Sequence, residues 1–431
     1  MDAAAARTIL TDVGNTLARA RPKGAVLLED IGWPRELEEA FFASGASVLP
    51  QPTYDVDKAA LNAEIAALEA IERRAAGDDP VLAWARAVVH SNIDKNRLLL
   101  AVRTRAFGEV SREIYGSAHS SFLHTSVKNV DLAKHLLQRL TLHGWDLAES
   151  RAPKAVSAKT FAADLTKRIA KHEPTIDVAV LLDPALTSKA IAGMSKVRVR
   201  ADATFMPWEA DGLFCHEVET HAFSAHNGRE QELSAFLKNG GPRTTRTQEG
   251  LAVFAELYNH ALAVPRLERL ALRVELVAMG EDGASFIDLY RHLRERGYAE
   301  REAFLDAARI CRGGMPEGGA PFTKDAAYLA GFVEVHTFLA AFVRAGFRDE
   351  TELLMCGRIA LEDIVALTEL HRLGLITRPK HRPRWLEQWD TLLPYFAFTS
   401  FMDGIDLAPI EAHYAALIER AAAVSKPAPK M

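Results

Sequence analysis

Two histidines and two glutamates stand at spacings that suit a divalent metal. The first group lies in Cys215-His216-Glu217-Val218-Glu219-Thr220-His221, and the second is Gln248-Glu249-Gly250-Leu251-Ala252. Hydrolytic zinc sites take three protein ligands from His and Asp/Glu and leave a fourth position for water. A neighbouring carboxylate then removes a proton from that water. On this chemistry His216, His221 and Glu249 are candidate ligands of Zn2+, and Glu217 is the candidate base.

The spacing has a structural consequence. In the familiar His-Glu-x-x-His helix the histidines sit at i and i+4, on one face. Here they sit at i and i+5, about 140° apart at roughly 3.6 residues per turn, which is out of reach of one ion on a regular helix. A π-bulge, bonded i to i+5, returns them to one face. The residues therefore predict a local widening of the helix over 216–221. Taken alone, they fit equally well an amphipathic helix with two incidental histidines.

Further motifs join these. Phe107-Gly108-Glu109-Val110-Ser111 leads to Tyr115-Gly116, and His226-Asn227-Gly228-Arg229 is followed by Gln231. Phe322-Thr323-Lys324-Asp325 precedes Tyr328-Leu329 and Gly331, and Gly357-Arg358-Ile359-Ala360-Leu361-Glu362-Asp363 comes later. With His-Glu-x-x-x-His and Gln-Glu-Gly-Leu-Ala, this set resembles the flavohaemoglobin expression-modulating QEGLA-motif family. That family is related to the MATCAP-type tyrosine carboxypeptidases, which trim the C-terminal tyrosine of tubulin. The resemblance covers most of the chain. It implies a zinc metallopeptidase with His216, His221 and Glu249 as ligands and Glu217 as base. The tubulin-processing members carry Glu-Glu before Gly-Leu-Ala, whereas this chain has Gln248-Glu249, like the bacterial branch; the ligand is kept.

The composition is that of an ordinary globular protein. The 431 residues are 48% hydrophobic and 25% charged, enough for a substantial core. A net charge of −5, spread along the chain, gives no reason to expect nucleic acid or an anionic membrane as partner. The start, Met1-Asp2-Ala3-Ala4-Ala5-Ala6-Arg7, lacks the pattern of a secretory signal. The most apolar run, Tyr328 to Val343, is broken by Glu334 and His336 and reads as a buried helix rather than a membrane span. Cys215, Cys311 and Cys356 are too few and scattered for a disulfide framework, so a cytoplasmic setting is expected.

The elements that must position the site follow from periodicity. Asn62 to Ala75 and Asp79 to Val102 carry apolar residues three and four apart, as packed amphipathic helices do. Asp79-Pro80 is a helix start. Strand character comes later. Ile176 to Pro184 is β-branched, and Lys196 to Phe205 alternates Val with Arg198 and Arg200. These two arginines read as solvated side chains on an edge strand beside the cleft. The expected fold is α+β, predominantly helical and zincin-like, with a small sheet before the metal-binding helix. A helical scaffold is expected over 1–105, a catalytic domain over 106–425 and a disordered tail over 426–431.

Thr247 is expected to cap a helix from Gln248 to about Ala263, on which Glu249, Glu256 and His260 share a stripe. Glu256 is a candidate for hydrogen bonding to a ligand histidine, a surface carboxylate being the alternative. Thr323 is expected to cap the helix carrying Lys324 and Tyr328. A phenol beside the metal stabilises a developing oxyanion, and Tyr328 is the candidate. A carboxypeptidase also needs a cation for the terminal carboxylate, for which Arg246, Arg312 and Lys324 are candidates. His226 and His260 are not expected to be ligands. Leu353 to Leu373 and Pro383 to Ala423 read as helical, their aromatics as core.

The functional expectation is a zinc metallocarboxypeptidase acting on a peptide or protein C-terminus, with tyrosine or another aromatic released by family resemblance. A zinc endopeptidase and a zinc-binding regulatory protein without turnover are the alternatives.

Overall fold

The computed structural model describes residues 1–19, 27–141, 154–184, 186, 188–193, 195–402 and 409. The tail expected at 426–431, and the part of the last expected helix beyond residue 402, lie outside the described residues apart from Pro409. The chain is α+β and predominantly helical, with two small sheets among the described residues.

The helices of the first hundred residues form where apolar periodicity and caps place them. Pro80–Leu100 begins at Asp79, whose carboxylate accepts the Val81 N–H at 2.9 Å, with proline in the first turn. Lys58–Arg74 starts in the same way from Asp57. Leu10, Leu68, Trp84, Val89 and Ile93 from this part share a core with Phe214, Phe254 and Trp385 from the later part.

The strands are β1 (Val156–Ser157), β2 (Ala179–Asp183), β3 (Ala190–Ala192), β4 (Lys196–Arg200) and β5 (Thr204–Phe205). One sheet has the order β2-β4-β3, with β2 parallel and β3 antiparallel to β4; β1 and β5 pair separately. This corrects the expectation for Lys196 to Phe205, which is two strands parted by a turn. It also corrects the edge placement of the arginines, because β4 is the central strand: Arg200 is buried against Glu302 (2.7 Å), whereas Arg198 keeps 39% of its side chain in solvent beside Asp183 (3.3 Å). Of the two edge strands, β2 and β3, the three-residue β3 is too short to announce itself by alternation.

Four helical segments follow and build the site. Glu209–Leu213 runs without a break into a π-helix, Phe214–Ala222, which is the motif helix. The ligand helix, Thr245–Tyr258, starts earlier than expected, from a 3-10 turn at Pro242–Thr244. Thr247 is inside it and does not cap; its hydroxyl accepts the Leu361 N–H at 3.0 Å. Ala327–Arg344 crosses the ligand helix at Gly250. A Cβ on Gly250 would lie 2.2 Å from the Gly331 carbonyl oxygen, so only glycine permits this approach. The Thr323–Arg344 stretch is long and apolar enough to cross a membrane by length and composition alone, and its Tyr328, Val335, Leu339 and Val343 are buried in the protein.

Thr323 does not cap that helix either. It lies in a 3-10 turn, Thr323–Ala326, and its hydroxyl donates to the Ser111 carbonyl at 3.0 Å. The expected helix over 353–373 is interrupted: Arg348–Leu353 ends, a loop carries Arg358, and Ile364–Arg372 resumes. The loop turns back because the Arg358 N–H bonds the Leu237 carbonyl at 2.8 Å. Trp385 and Phe396 are core, as expected, while Phe398 is exposed.

Candidate metal centre

The widened motif helix does what the i, i+5 spacing requires. His216 and His221 lie on one side of the π-helix, with ring centroids 4.9 Å apart and planes at 86°. Glu249 reaches them from the ligand helix. Its Oε2 is 3.3 Å from His216 Nε2 and 3.6 Å from His221 Nε2. Among the described residues, His216, His221 and Glu249 form a group whose ligand atoms all lie within 4.8 Å of one another.

The donor set fits a divalent ion by an internal test. Glu249 Oε1 accepts from Lys324 Nζ at 2.8 Å, but Oε2 is buried without a hydrogen bond. Such an orphaned carboxylate oxygen is costly unless something positive meets it. His216 offers Nε2 to the same point because its Nδ1 is engaged by Glu256 Oε1 at 2.7 Å. Glu256 is in turn held by Arg266, through Oε1 at 3.2 Å and Oε2 at 3.3 Å. A carboxylate on the far nitrogen fixes the ring orientation and raises its basicity, as metal-bound histidines commonly require. Burial alone would lower the His216 pKa; the carboxylates of Glu249 and Glu256 beside its two ring nitrogens outweigh it and push the value up to about 10. Burial would raise the Glu249 carboxyl, yet Lys324 and the two histidines hold it well below the usual range. The orphaned Glu249 Oε2 and the two imidazole Nε2 atoms that converge on it are a donor set that suits a divalent ion.

Glu217, next to the first histidine, has its Oε2 fixed by the Ala192 N–H of β3 at 2.7 Å. In β3 that N–H points away from β4, since the ladder bonds fall on the neighbouring residues, as with Gly193 N–H to Lys196 O at 2.8 Å. Tyr328 lies beside His216, its ring at 6.4 Å and 16° to the imidazole. Its hydroxyl accepts from Arg309 Nη2 at 3.3 Å, and Arg309 is held by Asp325 at 2.5 and 2.8 Å. Lys324 Nζ stands 5.1 Å over the Tyr328 ring while bonded to Glu249.

The other expected residues scatter. Arg246 donates to Glu334 at 2.9 Å and to the Tyr115 carbonyl at 3.1 Å. Arg312 is buried, with its guanidinium 5.3 Å over the Phe322 ring. Glu256 is an internal carboxylate on His216 rather than a surface one. His260 leaves the stripe, because the ligand helix ends at Tyr258 and His260 adopts a left-handed φ of 56°. His226 packs against the His381 ring, outside the metal group.

Several neighbours escaped the sequence. Arg266 and Arg309 lie on helices with no motif, and Ala192 contributes only backbone. Arg358 donates to the His221 carbonyl at 3.4 Å, and the charges of Glu217 and Glu249 act on it. It sits in a run, Gly357 to Asp363, that stood out in the sequence without a role.

Fold and site together define a predominantly helical α+β protein with a candidate His-His-Glu metal centre. The family model described as microtubule-associated tyrosine carboxypeptidase matches residues 39–404, and the chain belongs to that family. No curated protein matches it. The matched span contains the motif helix, the ligand helix and the Lys324–Tyr328 turn.

Proposed function

We propose that the protein is a zinc-dependent metallocarboxypeptidase that hydrolyses the C-terminal peptide bond of a peptide or protein and releases tyrosine or another aromatic residue. Membership of the family supports the reaction class. The observation that carries the reading is the bond-free Glu249 Oε2, set against two imidazole Nε2 atoms with Glu217 beside them. A zincin-like fold is proposed on related grounds, a short antiparallel edge strand in front of the metal-binding helix.

His216, His221 and Glu249 would hold the zinc. Bound there, zinc supplies Lewis acidity, which activates water and polarises a carbonyl. The remaining work falls to the chain. Glu217 is tethered through Oε2 to Ala192, so Oε1 is left to take the proton of the attacking water and return it to the leaving amine. The Tyr328 oxygen already accepts from Arg309, so its single proton is directed elsewhere, which suits an oxyanion donor. Apart from the Ala192 N–H, which Glu217 takes, the outward edge of β3 offers backbone groups to an extended substrate.

The test pairs metal analysis with digestion of a peptide library varied at the C-terminus, by wild type and Glu217→Gln. The expected result is one zinc per chain in both proteins, removal of the last residue by wild type and loss of turnover of at least about a hundredfold in the variant. Internal cleavage would replace the reading with an endopeptidase. Full metal occupancy with no cleavage would replace it with a zinc-binding regulatory protein. Absence of metal after purification without chelator would remove its basis.

A further inference from the structure

The carboxypeptidase reading requires a group that recognises the free end of the chain, and the following inference rests on that reading. A buried charge cluster lies behind Tyr328 and Lys324. Arg273 meets Asp306 at 2.8 Å, Arg309 meets Asp325 at 2.5 Å, and Lys324 meets Glu249 at 2.8 Å. Each of these cations has its own carboxylate. Arg312 has none. Its residue is 8% exposed, and its Nε and Nη2 are buried without a hydrogen-bond partner. The four cations thus face three carboxylates, one positive charge in excess.

A buried guanidinium with unused donors is strongly disfavoured unless an anion meets it. Burial and the like charge of Arg309 pull the Arg312 pKa down to about 10. The Arg312 guanidinium lies 5.3 Å over the Phe322 ring, and Phe322 leads directly into the turn whose Lys324 bonds Glu249; Asp325 and Tyr328 act on it electrostatically.

The position is rigid, which an anchor needs. Arg312 closes the helix Glu300–Cys311 with its N–H on the Ala308 carbonyl at 2.8 Å. The next residue, Gly313, is clamped by the amino-terminal region. Its N–H donates to Tyr54 Oη at 2.7 Å, and its carbonyl accepts the Arg103 N–H at 2.9 Å. Gly313 has φ of 76°, and a Cβ there would meet the Phe107 ring at 2.4 Å. Of the other cations near the centre, Arg246 is occupied by Glu334 and Lys324 by Glu249, while Arg358, whose Nε is also unbonded, donates to the His221 carbonyl at 3.4 Å and lies under the charges of Glu217 and Glu249 themselves.

We propose that Arg312 is the anchor for the α-carboxylate of the substrate's C-terminal residue, binding it with the planar fork that matches a carboxylate. The unpaired charge then has its partner only when a free C-terminus is bound. Anchoring the free end fixes the last peptide bond as the one presented for cleavage, and a chain blocked at its end is rejected. The amino-terminal region acquires a role as well: Tyr54 and the Arg103 turn hold the loop that follows the anchor.

The test uses full-length protein with its metal content measured. Binding of N-acetyl-tyrosine and N-acetyl-tyrosinamide is followed by calorimetry, and KM and kcat are measured on peptides with free and amidated ends. Wild type is expected to bind the acid at least about tenfold more tightly than the amide. Arg312→Met should lose that preference, and Arg312→Lys, which keeps the charge without the fork, should lose most of it. Both should show raised KM with kcat less affected and zinc retained. Equal affinity of wild type for acid and amide, including no measurable binding of either, overturns the anchor even if peptides are trimmed. So does an unchanged acid preference in Arg312→Lys or Arg312→Met. Failure of wild type to cleave any peptide would instead count against the peptidase reading, a different outcome from loss of the acid preference.

Discussion

Replacing Glu256 with glutamine tests whether the centre depends on the carboxylate behind its first histidine. Glu256 Oε1 lies 2.7 Å from His216 Nδ1, and the residue is 2% exposed, so water cannot substitute for it. Glutamine preserves the shape and an acceptor oxygen but removes the charge that makes His216 basic. Loss of such an outer partner typically lowers metal affinity by about 10- to 100-fold, or roughly 1.4–2.8 kcal/mol. Glu256→Ala should cost more, because it also strips Arg266 of its carboxylate. The Arg266 side chain keeps 31% of its surface in solvent, so the added loss of stability should be only about 1–3 kcal/mol rather than that of a fully buried ion. The assay is competition between protein and a zinc-responsive chelator. Thermal melts in excess chelator separate fold stability from metal affinity. A Glu256→Gln affinity within about threefold of wild type, with one metal still bound, would refute the reasoning, because the expected effect begins at about tenfold.

Two further expectations concern the groups behind Tyr328. Arg309→Lys keeps a charge for Asp325 but withdraws the donor at 3.3 Å from the Tyr328 hydroxyl. It should lower kcat about tenfold with little change in KM, and in a Tyr328→Phe background it should have no further effect; additive losses in the double-mutant cycle would mean that Arg309 acts elsewhere. The second expectation concerns pH. Burial would raise the Asp306 and Asp325 carboxyls, yet Arg273 chiefly for the first and Arg309 chiefly for the second hold them below the ordinary range. With the folded pKa depressed, their stabilising contribution is complete above the unfolded value of about 3.9 and is lost as pH falls below it. Urea midpoints of chelator-treated protein should therefore drop below about pH 4, and Asp325→Asn should flatten part of that slope; an unchanged slope in the variant would contradict the assignment.

What could be read from the sequence was what local geometry controls. His216 and His221 are five residues apart on one helix, so taking both as ligands of one ion required the widened turn that is found at Phe214–Ala222. Asp79-Pro80 starts its helix because cap and proline act on the nearest backbone groups. Strand character at Ala179–Asp183 and Lys196–Arg200 was likewise visible in side-chain alternation and β-branching. Glu249 was found through its motif, since periodicity does not say which carboxylate will face a distant histidine.

The rest was decided by partners brought in from far along the chain. Thr247 and Thr323 had the right residue type and place for caps, but Leu361 and Ser111 take up their hydroxyls. Arg200 looked solvated until Glu302 arrived from another helix and β4 proved central. Among the arginines, Arg246, Arg309 and Arg312 are chemically alike in the sequence. Only the fold gives Glu334 to the first and Asp325 to the second, and leaves the third buried without a carboxylate. Pairing between charges depends on distances of a few ångströms across the core, and those distances are set by how helices cross, as Gly250 and Gly331 do, not by the order of residues along any one of them.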